Sequence, residues 1–142
     1  MSNILAGIGC GQMEVIESRI QRRRDNFFFY KKNLEKFDCI TFLEEPDKSY
    51  YSNHWLTTIL IDQTKTGLTP EVLQKELEKE NIETRPLWKP MHLQPVFSSC
   101  PSYINGTSEK LFNQGLCLPS GSNLSDADRI RVLDSINKQL TK

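Results

Sequence analysis

The chain has 142 residues, a quarter of them charged, with 18 basic and 18 acidic side chains that cancel at neutral pH. That length suits one domain burying about two-thirds of its unfolded surface, and the balanced charge argues against a general nucleic-acid binder, which needs a basic excess or stripe. No apolar run approaches the roughly 18 residues that cross a bilayer, and the N-terminus lacks the basic flank and apolar run of a signal peptide, so a cytoplasmic protein with neither membrane nor nucleic acid as partner is expected.

Ser2 to about Arg24 reads as one long helix. Ile4, Leu5, Ile8, Val15, Ile16 and Ile20 fall roughly on one face. Among them stand Ala6, Gly7, Gly9 and Gly11. Each glycine inside a helix costs on the order of 1 kcal/mol relative to alanine, a loss that close packing against another backbone would offset. Nothing precedes this segment to supply that backbone, so the expected partner is an upstream domain, a second subunit, or both. Arg22-Arg23-Arg24 reads as a solvated helix end whose cations offset the helix dipole.

Asp25 to Phe37 is polar and aromatic. Ile40 to Leu43 is a short strand candidate. Trp55 to Ile61, longer and β-branched, is the stronger one, with Glu44-Glu45-Pro46-Asp47 supplying turn chemistry between them. Thr69-Pro70-Glu71 combines a capping hydroxyl, proline at the first helical position and an early acid. The helix it opens runs to about Glu80, with Val72, Leu73 and Leu77 inward and Asn81 as its stop. Glu83 to Leu87 reads as a strand. Thr107 or Ser108 caps a short helix ending at Gly115, and Leu116 to Leu118 is a further short strand. Ser125-Asp126-Ala127-Asp128 has the pattern of a capping box and opens a last helix with Ile130, Leu133, Ile136 and Leu140 inward. This order predicts an α+β fold, a small, mostly antiparallel sheet with helices packed on one face.

Function is expected in the stretch from Glu83 to Phe97. Pro86, Pro90 and Pro95 fix their own φ and push each preceding residue toward extended backbone, making a stiff, non-helical loop. On it sit Arg85, Trp88, Lys89, His92 and Gln94: a planar cation, an aromatic face, a point cation, an imidazole and an amide. Such groups on a stiff loop meet an anionic, ring-containing ligand at little ordering cost. The structural reading stands beside it: Trp88 and Met91 plug a core and His92 is a satisfied histidine. Cys10, Cys39, Cys100 and Cys117 are scattered, with no CxxC pair and no matching histidine spacing, so neither a metal site nor a disulfide scaffold is expected.

Four segments together resemble the C-terminal third of the DegT/DnrJ/EryC1/StrS family of pyridoxal-phosphate-dependent sugar-nucleotide aminotransferases. They are Met1 to Gly9 with Gly11-Gln12, Ser52-Asn53-His54-Trp55-Leu56, Arg85-Pro86-Leu87-Trp88-Lys89-Pro90-Met91-His92, and Cys117-Leu118-Pro119-Ser120-Gly121. The resemblance implies the small C-terminal domain of a fold-type-I transferase at 26–142, preceded by an inter-domain and dimer helix at 1–25. It also implies pyridoxal phosphate, bound mainly by a large domain upstream of Met1. In the family that domain holds the Schiff-base lysine, the acid at the pyridine nitrogen and most phosphate ligands. No catalytic residue is then expected here, and the chain alone is expected to be inactive. The implied reaction moves an amino group, with glutamate as donor, onto a nucleotide-linked keto sugar for bacterial surface glycan synthesis. The implied assembly is a homodimer joined through the first helix and the 85–95 loop.

By the same resemblance Arg85, Trp88, Lys89, His92 and Gln94 are substrate-binding. A Schiff-base lysine must be partly neutral, and Arg85 and His92 are near Lys89 in sequence, yet the family places its reactive lysine elsewhere. Lys89 is therefore read as a contact to a diphosphate or uronate-like anion. Trp88 either stacks on a base or sugar face or wedges the domain against its dimer mate. Arg85 either meets substrate or pairs with an acid of the chain. His92 is expected near substrate or cofactor, donating a hydrogen bond. Asn3 is either a cofactor contact or a helix cap, and His54 is read as structural. Cys10 stands where relatives are expected to carry a larger polar residue. Two rival functions remain: a sugar dehydratase using the same cofactor, marked by histidine in place of the upstream lysine, and a non-catalytic module binding nucleotide sugars or a partner protein.

Overall fold

The computed structural model describes residues 2–141. Ser2, not Asn3, caps the first helix, accepting from the Leu5 amide, and α1 runs Asn3–Glu14. Val15 leaves helical geometry (φ −115°, ψ 4°), and α2 resumes at Ile16 and continues to Leu34. The helix expected to end at Arg24 is thus two helices, and the second absorbs most of the polar and aromatic stretch. The reason is a buried stripe of Asn26, Phe27, Tyr30 and Leu34, whose spacing is helical although its residue types are mixed. Position 25, the expected domain boundary, lies inside α2.

Four short strands follow: β1 (Ile40–Phe42), β2 (Thr57–Ile61), β3 (Arg85–Pro86) and β4 (Gly115–Leu118). They form one sheet in the order β1-β2-β4-β3 with every neighbouring pair antiparallel. Ile40 sits opposite Ile61, Phe42 opposite Ile59, and Ile59 opposite Leu116. Directly opposed residues share a face, so these side chains line one side of the sheet. Against it pack Phe27, Tyr30 and Leu34 of α2, Leu73 and Leu77 of α4 (Pro70–Lys79), and Val132, Leu133 and Ile136 of α6 (Asp126–Leu140). A one-turn α3 (Gln63–Thr66) and α5 (Thr107–Gln114) complete the helices.

Most local signals hold. The Thr69 hydroxyl accepts from the Val72 amide, the Ser125–Asp128 capping box is present, and Asn81 stops α4 at φ 54°. Three expectations fail. Val72 and Ile130 are about half exposed, and the inward stripe of α6 runs through Val132 instead. Helix α5 begins after Gly106, at φ 82°, with no side-chain cap, while Asn105 Oδ1 accepts from the Thr107 amide at 3.1 Å.

Helix α1 buries nothing. Ile4, Leu5, Ile8 and Met13 are more than half exposed. A Cβ added at Gly7, Gly9 or Gly11 would meet no atom within 4 Å. The described residues therefore give these glycines no packing reason.

Candidate functional site

Strand β3 is the sheet edge, where Pro86 leaves no ladder hydrogen bond wanting. Beyond it the loop is braced from within: two 3₁₀ turns, Met91–Leu93 and Pro95–Phe97, follow one another, and Gln94 Nε2 donates to the Lys89 carbonyl at 3.1 Å. Gln94, expected to touch substrate, has its amide engaged in holding the loop.

Trp88 is 68% exposed and its ring centroid lies 6.4 Å from that of Trp55, the planes tilted 35°. The pair stands at a cleft of about 670 Å³ also lined by Thr84, Arg85, Asn123 and Arg131. Thr84 Oγ1 is buried there and has no hydrogen-bond partner among the described residues. Arg85 pairs with Glu83, both side chains exposed, so its partner is a surface acid of its own strand entry and the guanidinium stays open to exchange.

Trp55 is held by residues that sequence reading assigned to a solvated helix end. Arg23 donates to the Trp55 carbonyl at 2.6 Å and to the Ser120 carbonyl at 3.3 Å. Arg24 pairs with Glu45 at 3.0 Å, donates to the Ser52 carbonyl and lies over the Tyr51 ring. Of the three arginines only Arg22 is left exposed. Backbone hydrogen bonding from Ser52, then the Arg24 guanidinium, lowers the Glu45 pKa. His54 is buried with its ring stacked on Phe27, centroids 3.7 Å apart and planes within 7°. Burial, reinforced by Arg24, lowers its pKa below the ordinary 6.5. Its ring is packed within the fold.

His92 Nε2 lies 2.8 Å from Glu109 Oε1 of α5, tying the loop to that helix. The ring lines a second, smaller cleft of about 260 Å³ with Met91, Phe97, Cys100, Tyr103 and Ile104. Lys89 is exposed and forms no ion pair among the described residues. Asn3 is exposed at the start of α1, a helix with no buried residue. The structure thus gathers Arg85 and Trp88 at one cleft and His92 at another, and leaves Asn3 in neither. Sequence reading missed Trp55, Glu109 and Arg23; Trp55 stood within a segment already singled out, but nothing local paired it with Trp88. A broader depression of about 900 Å³ near Lys36 and Lys65 is less suited to a ligand. Lys36 lies over Phe37, and Lys65 donates to the Asp38 carbonyl.

Pyridoxal phosphate needs an enclosed lysine, an acid for its ring nitrogen and a phosphate cup. Lys89, the only lysine of the loop, is exposed and lines neither cleft there. Among the described residues the loop offers that cofactor no enclosed lysine. Nor do they hold a group of three histidine, cysteine or acidic side chains fit for a metal. Among the described residues no helix is long and apolar enough to cross a membrane.

Comparison with known proteins gives the family. Residues 1–137 match the DegT/DnrJ/EryC1/StrS aminotransferase family. The chain belongs to this family. It is 43% identical over 138 residues to EpsN of Bacillus subtilis (strain 168), named as a proposed pyridoxal phosphate-dependent aminotransferase; the match covers 94% of this chain and 34% of EpsN. It is 33% identical over 138 residues to the GDP-perosamine synthase of Escherichia coli O157:H7, covering 97% of this chain and 36% of that one. Among solved structures, DesI, crystallised in the presence of its TDP-sugar product, aligns with a TM-score of 0.88 at 26% identity, over 100% of this chain and 36% of DesI. The aminotransferase TlmJ of Streptoalloteichus hindustanus shares the fold, with a TM-score of 0.85 at 20% identity, over 96% of this chain and 36% of its own. The chain spans about a third of the length of the relatives it matches.

Proposed function

We propose that this chain is the small, substrate-facing domain of a pyridoxal-phosphate-dependent enzyme that aminates a nucleotide-linked keto sugar, with glutamate as donor, for surface glycan synthesis. The observation that carries the reading is the braced loop after β3. It offers an exposed aromatic face at Trp88, a cation without an ion-pair partner at Lys89 and a fixed imidazole at His92, the set suited to a base or sugar ring joined to a diphosphate. The names of the relatives support it: one is a GDP-perosamine synthase and another was crystallised in the presence of its TDP-sugar product. Arg85 and Trp88 receive the ring and diphosphate, Lys89 the anion, and Gln94 keeps the loop in shape. When bound, the cofactor supplies the amino-group transfer, and the remaining two-thirds of the enzyme hold it. The uncovered face of α1 and its glycines dock on that large domain and on a second copy, so that residues 1–25 act as the inter-domain helix and 26–142 as the small domain; Asn3 comes closest to the cofactor in this arrangement.

Lys89→Ala and His92→Ala in the complete enzyme carrying this segment test the proposal. Each is expected to raise KM for the sugar nucleotide about tenfold, the loss of one good polar contact, while cofactor absorbance stays intact. Unchanged kinetics in both variants would remove the loop from the active site. Borohydride reduction of this chain with pyridoxal phosphate is expected to label no lysine stoichiometrically. Full labelling of one residue, Lys89 above all, would show that a complete cofactor site exists here.

A further inference from the structure

Glu109 belongs to the first turn of α5, where the helix dipole favours a negative charge. An ionised carboxylate only accepts hydrogen bonds. With an ionised carboxylate at Glu109, the 2.8 Å contact between His92 Nε2 and Glu109 Oε1 takes its proton from Nε2. The His92 side chain is only 17% exposed, and Nδ1 has no hydrogen-bond partner among the described residues. In the neutral ring that nitrogen carries a lone pair. Its matching ligand group must donate: a hydroxyl, an amine or amide N–H, or an ammonium. Lys89, three residues before His92 on the loop, disfavours a cation beside it, and an ionised phosphate oxygen has no proton to give. A neutral donor is left, and the sugar of the proposed substrate offers hydroxyls.

We infer that Glu109 is a positioning residue for His92: by accepting from Nε2–H it fixes the tautomer and makes Nδ1 an acceptor for a hydroxyl of a sugar-class ligand. The inference rests on the substrate-facing reading of the loop and reverses one part of it, because His92 receives a hydrogen bond from the ligand instead of donating one. The division of labour on the loop is then chemical. Lys89 and Arg85 serve the anionic part of a nucleotide sugar, and His92 serves its hydroxylated part.

Two measurements test it. The first uses this chain labelled with ¹⁵N-histidine, read by long-range ¹H–¹⁵N correlation about 1.5 pH units above the ordinary imidazole pKa of about 6.5. Of the two histidines, the His92 signals are identified by their loss in His92→Ala. Nε2 is expected at the protonated position and Nδ1 at the unprotonated one, with Glu109→Ala moving both toward a tautomer mixture. A protonated Nδ1 in the wild-type chain, or signals indifferent to Glu109→Ala, would overturn the inference.

The second is steady-state kinetics of the complete enzyme. Glu109→Ala is expected to raise KM for the sugar nucleotide about tenfold with kcat nearly unchanged. Glu109→Gln, which keeps an acceptor oxygen, should restore most of the loss. If His92→Ala raises KM and Glu109→Ala does not, the positioning role fails alone. If Lys89→Ala and His92→Ala both leave KM unchanged, the substrate-facing reading fails, whatever the tautomer.

Discussion

Gly115→Ala should disturb the candidate site through packing alone. Gly115 joins α5 to β4 at φ −94° and ψ 141°, a conformation alanine adopts without strain. The added methyl would stand 2.0 Å from Leu87 Cδ1 and 2.6 Å from the Leu111 carbonyl oxygen. Reaching an ordinary 3.4 Å contact requires the Leu87 methyl to retreat by about 1.4 Å (3.4 minus 2.0). Leu87 is half-buried at the root of the proline loop, next to Trp88, so its retreat drags the loop. Overpacking of this kind costs about 1–3 kcal/mol. Leu87→Ala alone should cost about 1–2 kcal/mol, less than a fully buried leucine. The two substitutions together should cost clearly less than their sum, by about 1 kcal/mol or more, because the smaller side chain vacates the space the methyl needs. The remainder reflects the Leu111 carbonyl, which belongs to the backbone and cannot step aside. Urea unfolding of the four chains measures this cycle. Gly115→Ala within about 0.5 kcal/mol of wild type, or strict additivity with Leu87→Ala, would refute the reasoning.

Arg23→Ala should destabilise the chain by about 1–3 kcal/mol, because two backbone carbonyls lose a charged donor. Arg23→Lys should recover only part, since one ammonium replaces a planar fork; full recovery in urea unfolding would show that charge alone matters. Stability should also fall as pH drops below about 6.5. His54 has a lowered pKa in the folded chain, so below its ordinary value the unfolded chain binds a proton that the folded one refuses. The loss is at most about 1.4 kcal/mol per pH unit and ends once the pH passes below the folded pKa. His54→Asn, which tolerates the φ of 45°, should flatten that slope in unfolding curves taken across the range; an unchanged slope would assign it to other groups. Finally, deleting residues 1–14 should leave the unfolding free energy within about 0.5 kcal/mol of the parent chain, because α1 buries no residue. A larger loss would show that α1 packs in this chain.

The features legible in the sequence are those whose physics acts over a few residues. The Thr69 and Ser125 hydroxyls reach amides three positions on, and Asn81 takes a left-handed φ that few other residues tolerate. The stiffness of the loop follows from its prolines, and the helical start of the chain was readable from the spacing of its apolar residues. The extension of α2 was not, because Asn26, Phe27, Tyr30 and Leu34 form a stripe only once the sheet stands against them. The arginines looked solvated because their acceptors are carbonyls from other parts of the chain. Trp55 reaches Trp88 only after β4 pairs with both β2 and β3, and His92 reaches Glu109 only once the segment between β3 and β4 folds back on itself. Local hydrogen bonds and fixed dihedrals depend on neighbours in sequence and can be read there. Contacts between distant segments depend on which strands pair, and the packed core decides that.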